Sequence, residues 1–169
     1  MESRAKLFGH AIHPILIVFP LGLLATGVIF DIIYLIRGNP TMATVAYWMI
    51  AAGIIGGLLA APFGWIDWFA IPTGTRAKSV GLLHGAGNVI VLLIFIGSWW
   101  LRRGAPERPE MLASILSFAG AGLALITGWM GGELVERLGV GVDNGAHLDA
   151  PSSLSNKPAS ENASATRET

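Results

Sequence analysis

Four long apolar runs, separated by short polar breaks, set the organisation of the chain. They cover roughly Pro14–Ile36, Val45–Phe69, Val80–Leu101 and Met111–Leu134. Each holds about 22–25 residues, which as a helix spans ~33–37 Å at ~1.5 Å per residue. A hydrocarbon core is about 30 Å thick, so every run is long enough to cross it with some tilt. In lipid each backbone amide must find its partner within the protein, and a helix meets that demand inside a single segment. The pattern therefore predicts four transmembrane helices.

The breaks are RGNPT (Arg37–Thr41), IPTGTRAKS (Ile71–Ser79) and the charged, proline-bearing RRGAPERPE (Arg102–Glu110). Connections this short favour antiparallel neighbours, so the expected fold is all-α: an integral membrane four-helix bundle running up-down-up-down. Beyond Val142 the chain reads DNGAHLDAPSSLSNKPASENASATRET, too polar to bury an ordering core. This divides the protein into a four-helix domain, 1–142, and a tail expected to be disordered, 143–169. The first run exceeds the ~7–15-residue core of a secretory signal and no A-x-A-like site follows it, so it reads as an anchor.

Tryptophan placement gives a second indication of lipid. Trp48 lies near the start of the second run, Trp65 and Trp68 close it, Trp99 and Trp100 close the third, and Trp129 lies near the end of the fourth. Such end positions form aromatic belts at the two interfaces. Composition agrees: 53% of the 169 residues are hydrophobic and 13% are charged, against about 25% charged in soluble domains. Zero formal net charge argues against nucleic acid as a partner and leaves the lipid bilayer. The absence of cysteine excludes disulfides, iron–sulfur clusters, thiolate zinc and covalent haem attachment. No G-x-S-x-G, H-E-x-x-H or phosphate loop appears, and GAGNVI lacks the strand a dinucleotide site requires.

An even number of spans puts both termini on one side, together with the Ile71–Ser79 connection. That side carries Arg4, Lys6, Arg76, Lys78 and Arg137, and the other Arg37, Arg102, Arg103 and Arg108. This balance leaves orientation open under the positive-inside rule.

Threading the chain through this topology gathers polar groups at the terminal side. FGHAIHP brings His10 and His13, APFGWIDWF brings Asp67, LLHGAGN brings His84 with Asn88 one turn on, and GWMGGELVER brings Glu133. Asp31 and Tyr34 alone are expected near the opposite face, and that apolar half argues against a transporter with a continuous polar path. Ionisable groups at membrane depth are costly and by default face the bundle interior with a function. His10 and His13 also suit a plainer role capping a helix start, with Pro14 at the favoured first helical position. Asp67 and Glu133 suit solvation or pairing with Arg76 or Arg137. Gly81, Gly85 and Gly87 permit close helix approach around His84. The small-residue faces at Gly53, Gly56, Gly57, Ala60 and Ala61, and at Gly120, Ala121, Ala124 and Gly128, read as packing surfaces. Pro20 and Pro62 fall inside spans and bend them.

Three chemistries share this set. His13 or His10 opposite His84 supplies two axial ligands to a haem b, with Arg76 or Lys78 at its propionates. His10, His13, His84 and Asp67 together resemble nitrogen and oxygen ligation of a non-haem metal. A proton or quinone site is the third, since imidazole titrates near neutral pH. Asn88, Asp67 and Glu133 would then orient the imidazoles. No helix carries two histidines a membrane width apart, so the expected site is single and lies at one face.

The segments GHAIHPILIVFPLGL, Asp31, APFGWIDW, LLHGAGN and GWMGGELVERLGVGV together resemble the bacterial membrane family catalogued as domain of unknown function 2231, over about residues 8–142. Its opening motif is usually Gly-His-Pro-x-His-Pro, and Ala11 here replaces the first proline while both histidines stay. The resemblance implies the four-span architecture and a bacterial inner membrane. A looser similarity to small b-type cytochrome bundles implies haem by analogy. The leading expectation is a haem- or metal-binding electron-transfer subunit with a redox partner protein. The alternative is a non-catalytic scaffold or partner subunit whose histidines pin helix ends.

Overall fold

The computed structural model describes residues 1–161. It opens with a small antiparallel ladder, β1 (Lys6–Leu7) and β2 (His10–Ala11), which pairs Lys6 with Ala11 and Leu7 with His10. Phe8 and Gly9 both take positive φ, 50° and 83°, as the tight hairpin turns of twisted ladders require. The Ile12 amide donates to the Ala5 carbonyl at 2.8 Å, fixing the ladder to the start of α1, Ile12–Arg37.

The expected turn RGNPT stops one helix and starts the next. Gly38 adopts the left-handed conformation and donates to the Tyr34 carbonyl, as a C-terminal cap does. The Asn39 side chain accepts from the Thr41 amide, and Pro40 takes the first position of α2, Pro40–Ala70. The Thr75 hydroxyl caps α3, Arg76–Arg102, by accepting from the Lys78 amide. Helix α4 spans Met111–Gly132 and continues as one π turn, Glu133–Arg137. All four helices are long and apolar enough to cross a membrane.

Close contacts give the relative directions. On α1 and α2, Gly27 meets Ile50, Leu24 meets Gly53, Pro20 meets Gly56 and His13 meets Gly64. Numbers fall on one helix as they rise on the other, so the pair is antiparallel. Helices α3 and α4 pair likewise through Ser98 and Ser117, Phe95 and Gly120, Gly87 and Thr127, and His84 and Gly131. Leu92 on Gly57 and Trp68 on Gly81 join α2 to α3 in the same antiparallel sense. The Trp68 indole donates to the Lys78 carbonyl while the Lys78 ammonium, 3.9 Å above that ring, donates back to the Trp68 carbonyl.

Polarity runs inside out. Leu24, Ile50, Ile54, Val91 and Phe95 form the central core, and the buried set also holds Asp31, Ser98, Arg102, Ser114, Ser117 and Thr127. Large apolar side chains face outward, Ile36 at 76% and Leu125 at 78% exposure. Water would reject such a surface and acyl chains accept it. After the π turn, residues 143–161 form turns without helix or strand, and Asp143 pairs with Lys6. The remainder of the expected disordered tail, 162–169, lies outside the described residues.

Candidate functional site

Helix α1 begins at Ile12, so Pro14 is its third residue and not its first, and His13, its second, lies inside the helix and reaches across to α2. Its Nδ1 lies 3.0 Å from the Ala60 carbonyl, which can only accept, so Nδ1 carries the hydrogen and donates. Its ring rests in a notch at Gly64, where an added Cβ would approach Cε1 to 2.9 Å. Nε2 keeps its lone pair and has no hydrogen-bond partner among the described residues.

His84 repeats this arrangement from α3 to α4. Its Nδ1 donates to the Thr127 carbonyl at 2.8 Å, and the ring lies on Gly131, where a Cβ would come within 3.1 Å of Cε1. Asn88 stands one turn further along α3. Its Nδ2 donates to the His84 carbonyl at 3.0 Å, which fixes the amide orientation, and also reaches the His84 Nε2 at 3.2 Å. The Asn88 Oδ1 accepts from the Thr127 hydroxyl at 2.9 Å. Both imidazoles are thus held as the Nδ1–H tautomer. Asn88 covers the second nitrogen of His84.

The other expected site residues have separate partners. His10 lies exposed in β2 with Nε2 3.3 Å from the Ser153 hydroxyl. Asp67 holds the N-terminal segment: its carboxylate accepts from the Ser3 hydroxyl and the Arg4 amide, each at 2.8 Å. Glu133 pairs with Arg76 at 2.7 Å, as the alternative of a plain ion pair anticipated. Among the described residues no three His, Asp or Glu side chains converge to hold a metal ion, so His10, His13, His84 and Asp67 do not form one ligand set. Among the described residues, one surface cavity lies beside the α1–α2 turn at Ile36 and Met42 and another among Met1, Ile71, Arg76 and Leu138, and neither of these is lined by a histidine.

The opposite half departs from expectation. Asp31 does not stand there alone: Arg102, expected in a charged loop, is the last residue of α3 and is wholly buried. Its guanidinium donates to the two Asp31 oxygens at 2.6 and 2.7 Å, with Ser117 at 3.1 Å and Ser98 at 3.3 Å completing the cage. Ser98 in turn donates to the Ala113 carbonyl at 2.7 Å. The signal was present in the sequence. Ser98 precedes Arg102 by one helical turn, and Ser114 and Ser117 interrupt an apolar run on the facing helix.

A family model described as predicted membrane protein, domain of unknown function 2231, matches residues 9–144. No curated protein and no solved structure matches the chain. The chain belongs to that family of predicted membrane proteins.

Proposed function

We propose that this member of the predicted membrane protein family is a haem-binding electron-transfer subunit, with His13 and His84 as its ligands. One observation carries this: each imidazole donates Nδ1–H to a backbone carbonyl on the neighbouring helix. Histidines that ligate metals use that arrangement, because it fixes the tautomer and reserves Nε2 for the metal. Two imidazoles are too few for a bare metal ion, and the absence of a third acidic or imidazole ligand among the described residues favours a metal that brings its own equatorial ligands. A tetrapyrrole supplies four such nitrogens. When bound between two imidazoles it has no open coordination position, so it exchanges electrons and does not bind substrate. A redox partner protein would then dock near the terminal end of the bundle. Arg76, paired with Glu133, offers a cation at that end for a propionate.

The rival scaffold reading has its own support, since the Asn88 amide already satisfies the His84 Nε2. The two readings separate in one experiment. Protein purified from haem-supplied cells should show a Soret band that is lost when both His13 and His84 are replaced by Ala. Colourless, metal-free protein from the same cells would refute haem and leave the histidines as helix pins.

A further inference from the structure

We infer that α1–α2 and α3–α4 are two copies of one helical hairpin, related by a pseudo-twofold axis along the bundle, and that this axis is the ligand site. The inference deepens the haem reading and rests on it for the identity of the ligand, though the repeat itself rests on packing alone. Asp31 and Arg102 lie 71 positions apart, as do His13 and His84. That single offset carries all three buried residues of α1, Leu24, Gly27 and Asp31, onto buried residues of α3, Phe95, Ser98 and Arg102. For α2 and α4 the offset is the step from Ala60 to Thr127, the two carbonyls that hold the imidazoles. It carries buried Ala46, Ile50 and Gly53 onto buried Ala113, Ser117 and Gly120.

The contacts repeat as well as the burial. Leu24 presses on Gly53 as Phe95 presses on Gly120, with an added Cβ meeting carbon at 2.6 and 2.8 Å. Gly27 faces Ile50 as Ser98 faces Ser117. His13 bonds a carbonyl and lies on the glycine four residues later, and His84 does the same. Helices α1 and α3 run in one direction, so the relation is a parallel repeat whose axis follows the helices.

Asp31 and Arg102 locate that axis. Equivalent positions of two copies touch each other only where the axis passes between them, as in any isologous contact. Their bidentate pair closes the axis at one end, and the same symmetry assigns His13 and His84, equivalent residues at the other end of the helices, to its two sides. A ligand there is offered two equivalent imidazoles from opposite sides, which suits a six-coordinate metallated tetrapyrrole. The copies differ at Asn88, whose counterpart is Ile17, and at Thr127, whose counterpart is Ala60. The amide that covers the His84 nitrogen therefore belongs to one copy only.

The test uses the full chain in detergent with ferric haem b as probe, read by absorption and electron paramagnetic resonance. His13→Ala and His84→Ala are each expected to convert the same six-coordinate low-spin signal to high spin, with free imidazole restoring both. Asn88→Ile should tighten haem binding by uncovering Nε2. Loss from one histidine variant with none from the other would overturn the equivalence while leaving haem binding in place. Failure of the unaltered chain to take up haem would instead overturn the proposed function, and the axis is then judged by charge exchange. Asp31→Arg and Arg102→Asp should each lower the melting temperature, and together recover part of that loss, since the pair re-forms while Ser98 and Ser117 stay on the hairpin that then carries the carboxylate. A double variant no more stable than either single one refutes the axis.

Discussion

Replacing Asp31 by Ala measures what the buried pair contributes. Asp31 and Arg102 have no exposed side-chain surface, and two short hydrogen bonds of 2.6 and 2.7 Å join them. Hydrogen bonds to charged groups contribute about 1.5–3 kcal/mol each, so two carry ~3–6 kcal/mol. The substitution also leaves a guanidinium buried with only the Ser98 and Ser117 hydroxyls as partners. Breaking one side of a buried ion pair costs roughly 3–5 kcal/mol for this reason. We expect a loss in that range, about two to three and a half powers of ten in the folding equilibrium at ~1.4 kcal/mol per decade. Denaturant titration in detergent, followed by tryptophan fluorescence, reads it directly. The double variant Asp31→Leu with Arg102→Met removes both charges at similar volume and should return to within about 1 kcal/mol of the unaltered chain. A single variant that loses less than ~1 kcal/mol, or a double variant as unstable as the single, would refute the account of a strained-if-broken buried pair.

Other substitutions test the packing and the site. Gly53→Ala puts a methyl 2.6 Å from Leu24 carbons and 3.3 Å from the Leu24 nitrogen; it should destabilise by about 1–3 kcal/mol, whereas Gly22→Ala meets nothing within 4 Å and should gain roughly 0.5–1 kcal/mol of helix stability in the same titration. Thr127→Val removes the donor to the Asn88 carbonyl oxygen and should cost about 1–2 kcal/mol, with a shifted Asn88 amide resonance. The N-terminal ladder should be docked only over a bounded pH range. The Lys6 ammonium, and then the Asn144 amide, hold the Glu2 carboxyl below its ordinary 4.5, so the stability it gives is present above 4.5 and is lost as pH falls through the lowered value. Asp143, and then Glu2, hold Lys6 above its ordinary 10.5, so its share persists below 10.5 and is lost as pH rises through the raised value. The chain lacks cysteine, so a dye on Leu7→Cys reports this alone, and its anisotropy should fall only below about pH 4.5 and above about pH 10.5.

The four helices were legible because a lipid-spanning helix must be apolar along most of its length, and the runs at Pro14–Ile36 and Met111–Leu134 are, Asp31 and Glu133 being their only charged residues. Their ends were less so. Helix α2 starts at Pro40 and α3 at Arg76, ahead of the apolar runs, because Asn39 and Thr75 supply capping groups that extend each helix into polar sequence. That His13, His84 and Asn88 lie toward one end of the helices followed from topology. Their partners did not, since the Ala60 and Thr127 carbonyls are backbone atoms that no residue type announces. Arg102 was misplaced for a related reason. At the head of RRGAPERPE it shares the composition of a loop, and only the polar spacing of Ser98, Ser114 and Ser117 marks a cage waiting for a cation.

That cage also explains why two copies of one hairpin share so few residue identities. Outward positions need only be apolar, so in lipid they drift freely among Leu, Ile, Val and Phe. Inward positions keep their packing role while changing residue: Leu24 and Phe95 both fill a notch above glycine. The sharpest divergence lies beside the axis, where Gly27 and Ile50 of the first hairpin correspond to Ser98 and Ser117 of the second. A buried guanidinium has five N–H groups to satisfy, and Asp31 accepts only two of the bonds it makes. The hairpin that carries Arg102 accepts two more on two hydroxyls. The hairpin that carries Asp31 needs no such help, because the arginine already meets both carboxylate oxygens. One opposite-charge pair on the axis is enough to make the copies chemically unequal on its own side while their backbones remain alike.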